Sequence, residues 1–275
     1  MAGAAKFLGP PFADKLAAVT AQRGRLCVGI DPHPATLAAW GLNDDVAGLA
    51  AFSRSLVDAL ADDVACFKPQ SAFFEAHGPA GLDVLADVLR DIAAAGAISL
   101  LDVKRGDIGS TMAAYAQAYL AEGAPLAADA ITVSPFLGFG ALAPAIELAA
   151  ATGRGVFVLA RTSNPEGAGV QLAFREEASV AQFIIDSATE LNRASRQKAI
   201  GLVVGGTHKT LGCDVSEFNG SILVPGIGFQ GGRMEDLPAL FGDAVDQVIA
   251  VVGRGIISAG PDPAALVARV DKLLA

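Results

Sequence analysis

Charged residues in the segment Asp102-Val103-Lys104-Arg105-Gly106-Asp107-Ile108-Gly109-Ser110-Thr111 have the types and spacing to do electrostatic and proton-transfer chemistry. Asp102 and Lys104 are two apart in what reads as a strand, so alternation points both side chains to one face. If that face is an interior, the charges must be paired to offset their burial. Lys68, which ends the preceding apolar run in Phe67-Lys68-Pro69-Gln70, supplies a second cation for Asp102. The blander reading is a polar strand end with surface ion pairs, and three charged strand ends in a row weigh against it. Asp107 and Thr111 have the four-residue spacing that stacks side chains on one helical face. Asp107 also suits the simpler role of helix N-cap.

Two further segments carry chemistry. Pro225-Gly226-Ile227-Gly228-Phe229-Gln230-Gly231-Gly232 is a glycine-rich loop of the kind whose backbone N–H groups approach an anion closely. Gly253-Arg254-Gly255 follows the next apolar run and adds a cation. A pair of tight turns is the competing reading, and Arg254 favours the phosphate one. Arg161-Thr162-Ser163-Asn164-Pro165 reads almost equally well as an ordinary Ser-Asn-Pro turn.

Positioning these residues falls to a recurring unit of a short apolar run, a loop and an amphipathic segment. The runs are Leu26–Ile30, Val64–Phe67, Ala97–Val103, Ala130–Val133, Gly155–Leu159, Ile200–Val204, Ile222–Val224 and Gln247–Val252. They are nearly continuous in hydrophobicity, as strands buried on both faces are. Between them, Gly81–Ala95 carries Leu82, Leu85, Leu89 and Ile92 at helical spacing, and Val180–Arg196 is expected to turn Phe183, Ile184 and Leu191 inward. Eight strands alternating with helices predict parallel βαβ units, either an open doubly wound sheet or a (β/α)8 TIM barrel. Asp31, Lys68, Asp102 with Lys104, and Gly253-Arg254 all fall at the ends of runs. In a barrel these ends converge at the C-terminal face, and the loops after strands seven and eight form a phosphate site, so the α/β barrel of the phosphate-binding type is favoured.

The 275 residues fit one such domain, 1–275, with 1–24 as an N-terminal extension. A hydrophobic fraction of 52% supplies a large core. Net charge of −9 disfavours a nucleic-acid partner, which needs a basic footprint. No apolar run reaches membrane-spanning length, and Pro10-Pro11 interrupts the first residues without an apolar signal segment, so a cytoplasmic protein without membrane attachment is expected. Cys27, Cys66 and Cys213 read as reduced thiols, and His33, His77 and His208 show no zinc-type spacing.

Asp-x-Lys-x-x-Asp after the third strand, with an upstream Asp and Lys, resembles the signature of orotidine 5′-monophosphate decarboxylases. The similarity extends over roughly Arg25 to Val270, and Arg105–Thr111 with Phe67–Gln70 resembles the longer bacterial branch. Members of the family often carry Pro where Gly109 stands. The resemblance implies a carboxy-lyase that makes uridine 5′-monophosphate, the last step of de novo synthesis of that nucleotide, without metal or cofactor. It implies a Lys–Asp–Lys–Asp array of Lys68, Asp102, Lys104 and Asp107, with Lys104 protonating C6 and Asp102 against the substrate carboxylate. Lys68 and Asp31 would position the ribose and the array, Ser163 would lie near the pyrimidine, and Pro225, Gln230, Gly253 and Arg254 would line the phosphate end. Asp107 and Thr111 would reach the neighbouring site of a homodimer. Competing readings are a phosphate-sugar decarboxylase or epimerase on a related barrel, which would use a divalent metal, and a non-catalytic nucleotide-binding barrel. The loop after Pro165 is a candidate part of a lid, and the chain carries extra length around Gly167–Glu177.

Overall fold

The computed structural model describes residues 10–274, so residues 1–9 of the N-terminal extension lie outside the described residues. Eight parallel strands close into a barrel: β1 (Leu26–Ile30), β2 (Cys66–Pro69), β3 (Ile98–Arg105), β4 (Ala130–Val133), β5 (Gly155–Arg161), β6 (Ile200–Val204), β7 (Ile222–Ile227) and β8 (Val248–Val252). Each strand pairs with its neighbours in sequence, and β1 pairs with β8 in register Cys27 to Val251. Helices follow most strands, but the connection 205–221 between β6 and β7 is irregular. A short antiparallel hairpin, Phe174–Arg175 with Ala178–Ser179, precedes the helix Val180–Ala194.

Alternation explains how the strands divide their side chains. Leu26, Val28, Ile30, Phe67, Leu101, Ile131, Val156, Val158, Leu202 and Val204 pack outward into the main core against the helices. Cys27, Cys66, Ile98, Leu100, Ala130, Phe157, Val203, Leu223, Ile249 and Val251 form a second cluster that fills the barrel interior. Fully burying each Leu, Ile, Val or Phe contributes about 1.5–3 kcal/mol, so this filling is a large part of what closes the barrel. Phe12 and Leu16 join the interior cluster from the helix Phe12–Arg23, with the Phe12 ring edge-on to Phe157. Lys15 on the same helix pairs with Asp129, which also accepts from the Ser99 backbone and hydroxyl. The helix therefore plugs the N-terminal mouth and leaves the opposite mouth open.

One expectation is corrected. In Val180–Ala194 the buried residues include Ala181, Ile184, Ile185, Ala188 and Asn192, while Phe183 and Leu191 are exposed. Small alanines let this helix sit close to β5 and β6, which narrows the buried stripe and leaves the larger residues on its margin. Phe183 instead lies beneath the Arg175 guanidinium of the hairpin, 4.6 Å from its ring centroid. Among the described residues no helix is long and apolar enough to cross a membrane.

Candidate active site

The same alternation that fills the barrel interior carries polar residues to its open end. Lys68 follows Cys66 by two, Asp102 follows Leu100, Thr132 follows Ala130, Pro225 follows Leu223 and Gly253 follows Val251, so each continues an inward-facing column. They line a cavity of about 480 Å³ together with Asp31, Gln70, Lys104, Leu159, Thr162, Ser163, Asn164, Gln171, Val203, Phe229, Gln230 and Arg254. That is the size of a small-molecule site, with an apolar floor and convergent polar groups.

Asp102 is the hub. Its Oδ1 lies 2.7 Å from Lys104 Nζ and accepts from the Thr132 hydroxyl at 2.7 Å. Its Oδ2 accepts from Lys68 Nζ and from Gln70 Nε2, each at 3.1 Å. Burial alone would raise the Asp102 pKa, but Lys68 and Lys104 outweigh it and hold the carboxyl well below the usual carboxylate range. Lys68 is likewise buried, which would lower its pKa, yet Asp102 and then Asp31 keep its ammonium above the ordinary lysine value. Asp31 Oδ1 is 3.9 Å from Lys68 Nζ, a looser contact at the rim. Beneath Lys68, burial pushes the Cys27 thiol up to about 12, so it is an inert packing group.

Lys104 reaches this hub by an unexpected route. Pairing between β3 and β4 shifts between Leu101 and Arg105, and Lys104 has φ +44°. Regular alternation, the basis for placing Asp102 and Lys104 on one face, therefore does not hold through Lys104. A left-handed backbone at a non-glycine residue costs on the order of 1–3 kcal/mol and persists where surroundings impose it. Here the Thr132 hydroxyl accepts the Lys104 N–H at 2.9 Å while donating to Asp102, so one side chain holds both backbone and carboxylate. The bulge leaves the Lys104 side chain about half-exposed in the cavity, whereas Lys68 is sealed beneath it.

Asp107 and Thr111 do not line the cavity of their own chain. The helix begins at Gly109 with Ile108 at the N-cap position, so Asp107 is neither N-cap nor on a shared helical face with Thr111. Its carboxylate accepts from the Ile108 N–H at 2.8 Å. Gly109 has φ +51°, a conformation that proline cannot adopt.

Opposite the hub, the β7 loop closes on itself. Gly228 N–H donates to Gly232 O at 2.7 Å, Gly231 N–H to Gly228 O at 2.9 Å and Gly232 N–H to Gly226 O at 3.0 Å. Gly226, Gly228 and Gly231 all have positive φ, which suits a tight turn, and the Gly228, Gly231 and Gly232 amides are occupied within the loop. What the loop presents is its side chains: Gln230, and Phe229 beneath the Arg254 guanidinium of the β8 loop. The Ser163 hydroxyl donates to Gln230 Oε1 at 3.0 Å, joining the β5 and β7 loops across the cavity. Arg161, buried at the end of β5, steadies that loop. It donates to Thr162 O, Gln171 Oε1 and Leu211 O and contacts His208 Nδ1. Burial, with a smaller push from Arg161, lowers the His208 pKa, and because Thr162 O can only accept, the His208 Nε2–H donates to it at 2.9 Å. Gln70, Thr132 and Phe229 were not singled out by sequence. Thr132 had one available signal, a polar residue at the inward parity of an apolar run.

Among the described residues, no group of three or more His, Cys, Asp or Glu is placed to hold a metal ion. The model of the orotidine 5′-phosphate decarboxylase / HUMPS family matches residues 24–270. The chain is 53% identical over 266 residues to the orotidine 5′-phosphate decarboxylase of Salinispora arenicola, covering 96% of both chains, and 51% identical to that of Streptomyces coelicolor, covering 95% of both. A crystal structure of a candidate orotidine 5′-phosphate decarboxylase from Streptomyces avermitilis superposes with a TM-score of 0.91 at 48% identity, covering 100% of this chain and 96% of that one. A UMP synthase from Leishmania donovani matches at 29% identity and TM-score 0.78, over 96% of this chain and 56% of that one.

Proposed function

The chain belongs to the orotidine 5′-phosphate decarboxylase / HUMPS family, and from that premise we propose that it converts orotidine 5′-monophosphate to uridine 5′-monophosphate and carbon dioxide, the last step of making that nucleotide de novo. The observation that carries this reading is a carboxylate held between two lysines at one end of a cavity whose other end holds Arg254 and Gln230. Arg254 and Gln230 take the 5′-phosphate, with Pro225 and Gly253 shaping that end. Asp31 and Lys68 face the ribose, and Ser163 the pyrimidine. The substrate carboxylate then lies against Asp102. Departure of carbon dioxide leaves an electron pair in the ring plane at C6, where delocalisation does little. The Lys104 ammonium stabilises that charge and transfers its proton to C6. Thr132 and Gln70 hold Asp102 in place, so the charges are organised before substrate arrives.

The site is expected to work without metal or cofactor. The assay follows the absorbance of orotidine monophosphate after exhaustive chelation, with uridine monophosphate identified as product. Turnover by the chelated protein supports the reading. Loss of turnover that a divalent cation restores would move the assignment to a metal-dependent phosphate-sugar enzyme, and binding without turnover to a nucleotide-binding barrel.

Asp107 and Thr111 serve the opposite site of a homodimer in this reading. Its support is that Asp107 lies outside its own cavity next to exposed Ile108, and that the adjoining β4 loop carries exposed Phe136 and Leu137, apolar surface suited to a second copy. The backbones of these two loops are joined by Ser134 N–H to Arg105 O. Mixing Lys104→Ala and Asp107→Ala chains would build one site free of both lesions in each mixed dimer, restoring roughly a quarter of wild-type activity when half the dimers are mixed. Verified exchange without recovery would assign Asp107 to its own chain.

A further inference from the structure

Phe229 has no packing reason to be where it is. It is 67% exposed on a loop tip, yet its ring lies face-on to the Arg254 guanidinium, 3.3 Å from carbon to ring centroid. The bond from Gly231 N–H to Gly228 O makes Phe229 and Gln230 the two central residues of a four-residue turn. One corner touches Arg254 on the β8 loop, and the other is held by Ser163 on the β5 loop. Arg254 also faces two spaces. One is the active-site cavity. The second, about 590 Å³, is lined by Thr36, Trp40, Gly255, Ser258 and Arg269, with Phe229 and Arg254 common to both. The guanidinium thus has room to turn away from the site, and the ring is the surface it rests against.

We propose that Phe229 is a positioning residue that holds the Arg254 guanidinium toward the active-site cavity through stacking on its π face. A guanidinium stacked on a ring keeps its N–H groups in their own plane, free for two parallel bonds to phosphate oxygens. Glycines on either side let the turn present the ring at this angle. The proposal rests on the reading of Arg254 as the phosphate ligand.

The test compares Phe229→Leu and Phe229→Tyr on orotidine monophosphate and on the nucleoside orotidine, alone and in an Arg254→Ala background. Leucine keeps an apolar side chain but no π face, and tyrosine keeps the face. Phe229→Leu is expected to lose about two- to fivefold in kcat/KM on the phosphorylated substrate. It should leave the nucleoside unchanged, and Phe229→Tyr should behave as wild type. With Arg254→Ala present, Phe229→Leu should cause no further loss, because the two residues act as one unit. Full activity in Phe229→Leu, equal losses on both substrates, or additivity with Arg254→Ala would each overturn the proposal. Arg254→Ala losing equally on both substrates would instead sink the phosphate reading, and the proposal with it.

Discussion

On the β2–β3 side of the cavity the charged groups stand on strands, and the Asp102 carboxylate accepts four hydrogen bonds from neighbouring side chains. On the β7–β8 side Gln230 and Phe229 stand on an exposed turn and Arg254 at the start of the short helix Arg254–Ile257, and their side chains are held by a single hydrogen bond and a stack. The first arrangement suits charge stabilisation, which needs dipoles and charges fixed before the reaction. The second suits capture and release of a charged handle, which needs groups able to adjust. Lys104 sits at the seam. Its strained backbone is imposed by the rigid side, while its half-exposed ammonium meets whatever the flexible side delivers.

The comparison can be broken by weakening each side in turn. Asp102→Asn should be the most damaging to the molecule. It removes the shared charge partner of Lys68 and Lys104 and leaves the buried Lys68 ammonium with only the looser Asp31 contact, at about 3–5 kcal/mol of folding stability. Urea unfolding measures it, and a loss below about 1 kcal/mol would mean the hub is not rigidly paired. Arg254→Ala should leave stability near wild type but lose roughly ten- to a hundredfold in kcat/KM on the phosphorylated substrate, sparing the nucleoside. Equal losses on both would make Arg254 structural.

The smallest expected effect is a flat line. Asp102 has a lowered folded-state pKa, so its contribution is fully present above the ordinary carboxylate value and is lost as pH falls through the folded one. Lys68 is raised, so its contribution is present below the ordinary lysine value and is lost as pH climbs through the folded one. The hub should therefore give wild-type stability no slope between about pH 5 and 9, whereas Asp102→Asn, whose buried Lys68 has lost its main counter-charge, should show one there as that ammonium gives up its proton. A flat difference between the two proteins across that window would show that Asp102 is not what keeps Lys68 charged.

Much of the rigid side was legible in the sequence because charge at the end of an apolar run is conspicuous. Asp31, Lys68, Asp102 and Lys104 all announced themselves that way, and all line one cavity. Gln70 and Thr132 did not, since neutral polar residues near strand ends have many ordinary uses. The bulge at Lys104 was hidden for another reason. Nothing in Asp-Val-Lys-Arg marks a positive φ, which is imposed by β4 and not by local preference. On the flexible side a glycine run suggests both a tight turn and an anion cradle, and the bonds from the Gly228, Gly231 and Gly232 amides within the loop are the part that sequence does not separate. In the helix Val180–Ala194, hydrophobicity alone points Phe183 and Leu191 inward, but the close approach to β5 and β6 admits the small Ala181 and Ala188 and leaves the larger residues on the margin.

The central claim is that the rigid side performs the chemistry, with Lys104 as the group that meets the developing charge. Kinetics of a folded Lys104→Ala protein, set beside its affinity for uridine monophosphate, tests this most directly. The account predicts a fall in kcat of roughly a hundredfold to a thousandfold or more with product binding nearly unchanged, because the interaction belongs to the transition state. A kcat near wild type, or a loss confined to binding, would contradict it.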